Sequence, residues 1–436
     1  FLDDRTVNTA VGATVQQYLP SVRNWYMSSP VYGATTPSGN TYYKYVEAAN
    51  NGITWTPVSS GSVFNLMTGY IVKPDAATTF AFSGALNTGV KQITGLTSTA
   101  TAKTGFNLVG NPYPSYVNWM SATKTNLSTT IWYRTQNSAT TPAYVFDTYN
   151  ETANTGTNNN GVAAVTEMIP PMQAFWVKVN AGTTGSLSFD NNMRSHQDVT
   201  TNKFRAPALN ATQQVLRLQV SNGANSDEAI VLFNTNATDG FDAYDSQKMT
   251  NGNASIPEIY TLAGTEKVVI NGLNSIATNA TIPLGFTTGA TNTFCIKASQ
   301  VSNFDADTKI VLIDNVLQVE QEISDGTPYY FASDVASMDN RFSVVFRSKS
   351  STTDIDKFAE EETIIISQNA NNQIVVTCNR NDQAGVVMVS NAIGQKLYSA
   401  TITGITTVIT KSFNPGIYLV TVNEGDKYVT KKVIIN

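Results

Sequence analysis

Side chains able to do acid–base chemistry are few in this chain, and carboxylates are the main ones. Glycoside hydrolysis needs two carboxyl groups a few ångströms apart, one of them with a raised pKa. Three clusters of neighbouring acidic residues are the candidates for such a pair, Asp227 with Glu228, Asp239 with Asp242 and Asp245, and Asp305 with Asp307. Because Asp beside Gly and Asn at strand ends commonly forms turns, we expect no catalytic pair among them.

The loop of residues 236–245 is the best candidate for a metal site. It carries Asp239, Asp242 and Asp245 together with further oxygen donors. Calcium takes several hard oxygen ligands in flexible geometry, although this spacing does not match an EF-hand loop. Calcium at these three aspartates is therefore an alternative to the main expectation, which is a protein without a cofactor.

Histidine and cysteine add little to this chemistry. His196 is the single histidine, and a histidine-ligated metal centre needs several imidazoles. Cys295 and Cys378 each lie in an apolar, strand-like run, where a thiol usually behaves as a small hydrophobic group. We therefore expect the protein not to be an enzyme.

Aromatic side chains are the candidates for ligand binding. An exposed ring can stack its flat apolar face on a sugar, and aromatic residues are dense in the first 150 residues. The five candidates are Tyr113, Tyr116, Trp119, Trp132 and Tyr133. The alternative is that these rings complete a core, with the glycine and prolines of residues 110–114 forming a rigid corner. Both interpretations stay open at this point.

Charge and composition narrow the class of partner. The chain has 436 residues, with 27 basic against 32 acidic side chains and a net charge of -5. No excess of basic residues is present to neutralise nucleic-acid phosphates. No apolar run approaches the length of a membrane span. We therefore expect neither a nucleic-acid partner nor a membrane-spanning segment.

The elements that carry these residues have the periodicity of β-strands. Alternation places Leu216, Leu218 and Val220 on one face of a strand, and residues 341–346 show the same pattern. Short β-branched runs bounded by Asn, Gly, Asp and Thr follow one another at a spacing typical of β-sandwiches and barrels. The predicted fold class is all-β, with β-sandwich-type domains.

Two polar stretches, residues 190–203 and 348–362, predict three domains. The first, residues 1–203, is β-rich, and its polar segment 148–160 is expected to be a mobile loop. The second, residues 204–350, is expected to be a jelly-roll-like sandwich. Its predicted core consists of Leu216, Leu218, Val220, Ile230, Leu232, Phe294, Ile296, Phe342, Val344 and Phe346.

The third domain, residues 351–436, contains seven strand-like runs separated by Asn-, Pro- and Gly-containing turns. These runs are residues 363–367, 373–377, 386–390, 395–403, 406–411, 416–422 and 428–435. Seven short strands in so few residues are typical of an immunoglobulin-like sandwich.

The same region resembles a known family. Residues 394–397 (GQKL), 414–422 (NPGIYLVTV) and 431–435 (KKVII) resemble the C-terminal sorting domain of the type IX secretion system of Bacteroidetes, over residues 362–436. The order, spacing and terminal position of these motifs agree with that family. The resemblance implies export across the outer membrane by the secretion machinery, followed by removal of this domain or by surface attachment.

The preceding domains resemble, more loosely, uncharacterised β-rich surface proteins of adhesin-like type. The motifs concerned include residues 25–30 (WYMSSP), 105–114 (GFNLVGNPYP), 169–177 (IPPMQAFWV) and 282–286 (IPLGF). This resemblance indicates a location at the cell surface rather than a particular activity.

Together these observations predict a secreted or cell-surface protein that is not an enzyme and acts in adhesion or binding. Its expected partners are the secretion machinery and a host or extracellular glycan or protein. One alternative is a non-catalytic carbohydrate-binding protein. Another is the accessory part of a larger surface enzyme, whose catalytic region would lie upstream of Phe1.

Overall fold

A computed structural model describes residues 11–49, 55–101, 103–196, 212–277, 281–348, 364–368, 373–378, 385–391, 394–402, 406–424 and 427–435. Within these ranges the secondary structure is β-strand, apart from a short 3-10 helix at Asn191–Met193. The predicted all-β class is confirmed. In the same ranges no helix has the length and apolar character to cross a membrane.

The chain divides into two compact units. The first comprises Phe1–Gln213, Ile230–Asn251 and Ala263–Asn274, and the second comprises Gln214–Ala229, Gly252–Leu262 and Ser275–Asn436. The predicted domain boundaries, after residues 203 and 350, lie outside the described residues. The division into three domains therefore stays a prediction.

The first unit begins with a series of short strands. They are β1 (Gly12–Leu19), β2 (Trp25–Met27), β3 (Val31–Tyr32), β4 (Asn40–Tyr45), β5 (Trp55–Val58), β6 (Tyr70–Pro74), β7 (Thr78–Leu86), β8 (Lys91–Leu96), β9 (Phe106–Gly110), β10 (Tyr116–Asn118), β11 (Thr123–Thr125), β12 (Thr130–Gln136), β13 (Tyr144–Asn150), β14 (Thr155–Gly156), β15 (Met168–Ile169), β16 (Ala174–Lys178), β17 (Gly185–Phe189) and β18 (Arg194–Ser195). Their sheets have the orders β1-β7-β3, β2-β6-β4-β5, β14-β13-β12-β16-β9, β11-β17-β8 and β15-β10-β18.

The sheet β14-β13-β12-β16-β9 positions the residues that matter most below. Its strands are buried on both faces, so two hydrophobic clusters form. Tyr133 and Phe175 belong to the cluster on one face, and Trp132 and Trp176 belong to the cluster on the other. Because successive side chains of a strand point to opposite faces, the adjacent residues Trp132 and Tyr133 contribute to different cores.

The next strands follow residue 212. They are β19 (Gln214–Ser221), β20 (Ser226–Phe233), β21 (Ser246–Gln247), β22 (Glu258–Ala263), β23 (Glu266–Leu273), β24 (Thr281–Thr288), β25 (Asn292–Ser302), β26 (Thr308–Asp314), β27 (Val319–Glu322), β28 (Tyr329–Ser333) and β29 (Ala336–Ser348). In the second unit, strands pair in the orders β27-β26-β29-β24-β22 and β19-β25-β28.

The core of these strands agrees with the sequence. All ten residues predicted for the core of the middle domain are buried. In the second unit, Phe331 packs against Phe342 with ring centroids 4.8 Å apart, and Phe286 packs against Phe294 at 5.0 Å. Such edge-to-face contacts favour a packed interior. The jelly-roll topology itself stays a prediction.

Residues 230–251 and 263–274 belong to the first unit. There β20 pairs with β23 in parallel, from Ile230 opposite Ile270 onward. The segment around β21 is tied to the central sheet of that unit, because the Trp132 Nε1 donates to the Gln247 carbonyl at 3.0 Å. The Asn150 Nδ2 likewise donates to the Asp245 carbonyl at 3.0 Å.

The last strands lie close to the positions that the sequence predicts. They are β30 (Ile364–Gln368), β31 (Ile374–Cys378), β32 (Gly385–Asn391), β33 (Lys396–Ile402), β34 (Thr406–Val408), β35 (Gly416–Glu424) and β36 (Lys427–Ile435). They form sheets of order β30-β31-β34 and β33-β32-β35-β36, which enclose one apolar cluster that includes Ile366, Val387 and Val420. The immunoglobulin-like topology stays a prediction.

Candidate functional site

A cavity of about 230 Å³ opens beside β12 in the first unit. Residues from three separate stretches of the chain surround it. They are Arg23, Tyr133, Thr135, Gln136, Asn160, Val162, Val165, Thr166, Met168, Pro170 and Gln173. Ligand pockets commonly combine apolar walls with a few polar groups in this way.

Tyr133 forms the inner wall of this cavity. Its side chain is only 4% exposed, and its ring packs on Phe175 with centroids 6.2 Å apart. Its Oη makes no hydrogen bond with any residue that the structure describes. Burial raises the pKa of Tyr133 above its ordinary value, so the hydroxyl stays protonated and can donate a hydrogen bond.

Arg23 contributes the charge of the site. Its guanidinium carbon lies 3.4 Å from the centroid of the Trp25 ring, and the Trp25 Nε1 is held by the Ser21 carbonyl at 3.1 Å. The Arg23 Nε is buried and has no hydrogen-bond partner within the described ranges. Burial lowers the pKa of Arg23, but a guanidinium stays charged under physiological conditions.

Asp147 organises the floor beneath the cavity. Its carboxylate is fully buried and accepts hydrogen bonds from the Thr135 Oγ1 at 3.1 Å, the Asn160 Nδ2 at 2.8 Å and the Asn159 amide at 2.6 Å. Thr135 and Asn160 both line the cavity. A carboxylate that accepts several hydrogen bonds holds its donors in place, so Asp147 acts on the site by positioning these two side chains.

The segment 148–160 differs from the sequence expectation of a mobile loop. It contains the end of β13 and all of β14, and the Thr157 amide donates to the Thr148 carbonyl at 2.9 Å. The Thr157 and Asn160 side chains and the Asn159 amide donate to buried Asp147. Asn160 also lines the cavity, so the hydrogen bonds of this segment help to position the cavity wall.

The outer wall is apolar and partly open to solvent. Val162 is 72% exposed and lies at the rim with Val165, Met168 and Pro170. Pockets that enclose drug-sized ligands occupy roughly 300–1,000 Å³. A cavity of 230 Å³ therefore fits one small group that projects from a larger ligand.

The structure places the five aromatic residues predicted to bind a ligand at separate positions instead of in one site. Tyr113, Trp119 and Trp132 are buried, and Tyr116 is half-buried. The Tyr113 Oη donates to the Gly89 carbonyl at 2.7 Å, and the Trp119 Nε1 donates to the Thr129 carbonyl at 2.9 Å. These are the contacts of core residues. Tyr133 is the member of the set that lines the cavity, and its role in binding stays a prediction.

Asn111 supports the interpretation of residues 110–114 as a rigid structural corner. Its Nδ2 donates to the carbonyls of Ser115, Ile169 and Pro170, and its Oδ1 accepts from the Tyr113 amide at 2.9 Å. The corner at residues 110–114 is thereby joined to the strand that carries the outer wall.

The aspartates proposed for calcium lie in the first unit and use their carboxylates within the fold. Asp242 accepts from the Thr238 and Tyr244 amides. Asp245 accepts from the Gly272 amide at 2.9 Å, and burial raises the pKa of Asp245 to about 7. Among the residues described, no group of three or more His, Cys, Asp or Glu side chains is placed to hold a metal ion. Calcium at Asp239, Asp242 and Asp245 stays a prediction.

Comparison with known proteins gives two family matches. Residues 369–436 match the secretion system C-terminal sorting domain, which confirms the resemblance found in the sequence and indicates a Bacteroidetes protein that is exported to the cell surface or secreted. A search among curated proteins finds no match. Residues 12–346, which include the whole cavity, match a domain of unknown function, DUF8693. Since this match spans most of the chain, the protein belongs to the DUF8693 family.

Proposed function

We propose that this exported protein is a non-enzymatic binding protein that acts in adhesion at the bacterial surface, and that the cavity beside β12 receives part of its ligand. The observation that carries the proposal is the buried, unpaired hydroxyl of Tyr133. A buried polar group without a partner costs about 1–3 kcal/mol. An acceptor oxygen on a ligand would recover that free energy on binding.

A carbohydrate is the ligand class that the lining supports best. Sugar rings present hydroxyl groups at their edges and apolar C–H groups on their faces. The cavity offers the Tyr133 hydroxyl and the Gln136 amide beside an apolar wall of Val165 and Met168. A non-catalytic role is supported by the chemistry of the described lining residues, since none of them is Asp, Glu, His or Cys.

The test is glycan-array binding of the full chain, followed by calorimetry with the saccharides that bind. Tyr133→Phe removes only the hydroxyl, and we expect it to weaken binding at least tenfold. Tyr149→Phe is the matched control, because Tyr149 is buried in the same cluster but its Oη already bonds to the Asn154 side chain at 3.0 Å. We expect Tyr149→Phe to leave affinity unchanged. Wild-type affinity in Tyr133→Phe, or no saccharide bound by the wild-type chain, would overturn the proposal.

A further inference from the structure

We infer that the group that enters the cavity is an acidic sugar, whose carboxylate pairs with Arg23. This inference rests on the proposed function and names its ligand more narrowly. Arg23 is the one charged residue in the described lining, and no acidic side chain lines the cavity with it. Arg23 is therefore the charged side chain in the described lining that a ligand in the cavity can contact, within a chain of net charge -5.

The local structure prepares Arg23 for such a ligand. The guanidinium stacks on Trp25 at 3.4 Å, an arrangement that restrains its plane and leaves its N–H edges available. Its Nε is buried without a hydrogen-bond partner in the described part of the chain. A carboxylate accepts two parallel N–H···O bonds from a guanidinium, and such charge-assisted bonds are stronger than neutral ones. A carboxylate thus matches both the charge and the geometry of Arg23.

The remainder of the lining favours a sugar as the carrier of this carboxylate. The Tyr133 hydroxyl can donate to a ring or hydroxyl oxygen, while Met168 and Pro170 form an apolar surface for the C–H face of a ring. A small inorganic anion would use Arg23 but would leave Tyr133 and the apolar wall without contacts. The size of the cavity, about 230 Å³, is suited to a single sugar residue of a longer chain.

The net charge of the chain leads to a separate prediction about the origin of selectivity for an acidic saccharide. Because the whole chain is negative, long-range electrostatics does not attract an acidic saccharide. Selectivity must therefore come from contact with Arg23 inside the cavity. Removing the charge of Arg23 should change the preference for the acid over a neutral analogue, and removing a distant surface charge should not.

The experiment compares an oligogalacturonide with its methyl ester, which has the same rings without the charges, by calorimetry on the full chain. We expect the wild-type chain to bind the acid at least tenfold more tightly. Arg23→Gln should abolish the preference, so that the acid and the ester bind with similar affinity. Arg23→Lys should restore only part of the preference, because an ammonium lacks the planar fork of a guanidinium.

Lys73→Gln is the control, since it makes the same change of net charge at an exposed position of β6 and should leave both affinities as they are. Equal affinity of the wild-type chain for acid and ester, or an unchanged preference in Arg23→Gln with normal folding, overturns the inference. If the wild-type chain binds acid and ester equally and Tyr133→Phe weakens both, the proposed function stands while the acidic ligand is wrong. If Tyr133→Phe has no effect on any saccharide, both fail.

Discussion

At the scale of single residues, Tyr113 and Tyr133 differ in whether their buried hydroxyl groups make hydrogen bonds. Both rings are buried. The Tyr113 Oη donates to backbone carbonyl oxygens of Gly89 and Phe189, whereas the Tyr133 Oη finds no acceptor in the described residues. The first hydroxyl therefore stabilises the fold, whereas the burial of the second is not offset by a hydrogen bond within the described residues.

This contrast predicts opposite effects of the same substitution. Tyr113→Phe should lower the free energy of unfolding by about 1–2 kcal/mol, because it leaves two buried carbonyls with one partner fewer. Tyr133→Phe should leave the free energy of unfolding unchanged or raise it by up to about 1 kcal/mol. Denaturant unfolding of the full chain, followed by tryptophan fluorescence, measures both. Equal destabilisation by the two substitutions would show that the Tyr133 hydroxyl is paired in solution.

At the scale of elements, Glu47 shows how one carboxylate holds a connection between strands. It is 2% exposed and lies after β4. Its oxygens accept from the amides of Ala100 and Gly105, each at 2.9 Å, and from the Thr97 hydroxyl at 2.6 Å. These donors lie between β8 and β9, so Glu47 ties that connection to an earlier part of the chain. Sequence periodicity contains no signal for such a contact.

Glu47 also makes the stability of the first unit depend on pH. Burial by itself would raise the pKa of Glu47, but the hydrogen bonds from Thr97 and the backbone amides of Gly105, Ala100 and Thr99 outweigh it and hold the pKa below its ordinary value. A carboxyl group whose pKa is depressed on folding stabilises the protein above its unfolded pKa of about 4.3. That contribution is lost as the pH falls through the folded pKa.

We therefore expect Glu47→Gln to destabilise the protein at pH 7 by about 1–3 kcal/mol, the cost of leaving buried donors poorly paired. At pH 3 the difference from the wild-type chain should shrink, because the wild-type carboxyl is then partly protonated. Melting temperatures measured between pH 3 and pH 7 test this. A difference that stays constant over that range would contradict an ionised Glu47 in the folded state.

The sequence predicts individual strands well where apolar and polar residues alternate strictly between turn residues. Strands β30 to β36 lie close to the predicted runs because strict alternation is bounded by turns with Pro or Gly. The segment 148–160 was predicted wrongly, since its Asn- and Thr-rich composition is that of a solvated loop. Buried Asp147 accepts hydrogen bonds from this segment, and only the folded chain brings these groups together.

At the scale of the whole molecule, the C-terminal sorting domain is the part whose role, in export, is known. The edge strand β36 exposes Lys431 and Lys432, as expected for protection of a sheet edge against pairing with other chains. Within the second unit, the Lys432 Nζ lies 4.8 Å from the centroid of the Tyr330 ring. A cation–π contact at a partly exposed site contributes only about 0.5–1 kcal/mol.

Ending the chain after residue 350 should therefore leave the remaining protein folded. We expect only a small fall in its free energy of unfolding, because the strands of the sorting domain enclose an apolar cluster of their own. In the native host the same truncation should abolish delivery to the cell surface, because the sorting domain is missing. Denaturant unfolding and surface labelling measure the two effects. Surface delivery of the truncated chain, or a large loss of stability, would contradict a separable sorting domain.

The sequence by itself determined the all-β class and the burial of the predicted core residues, because alternation and turn residues act between near neighbours in the chain. Its C-terminal motifs determined the export of the protein. It also contained the reason why Trp132 and Tyr133 face different cores, namely their adjacent positions on one strand. Only the tertiary structure decided that residues 230–251 belong to the first unit and that a cavity joins Arg23 to Gln173. Periodicity reports that a face is buried but not which distant element covers it, and a cavity exists only where distant elements meet.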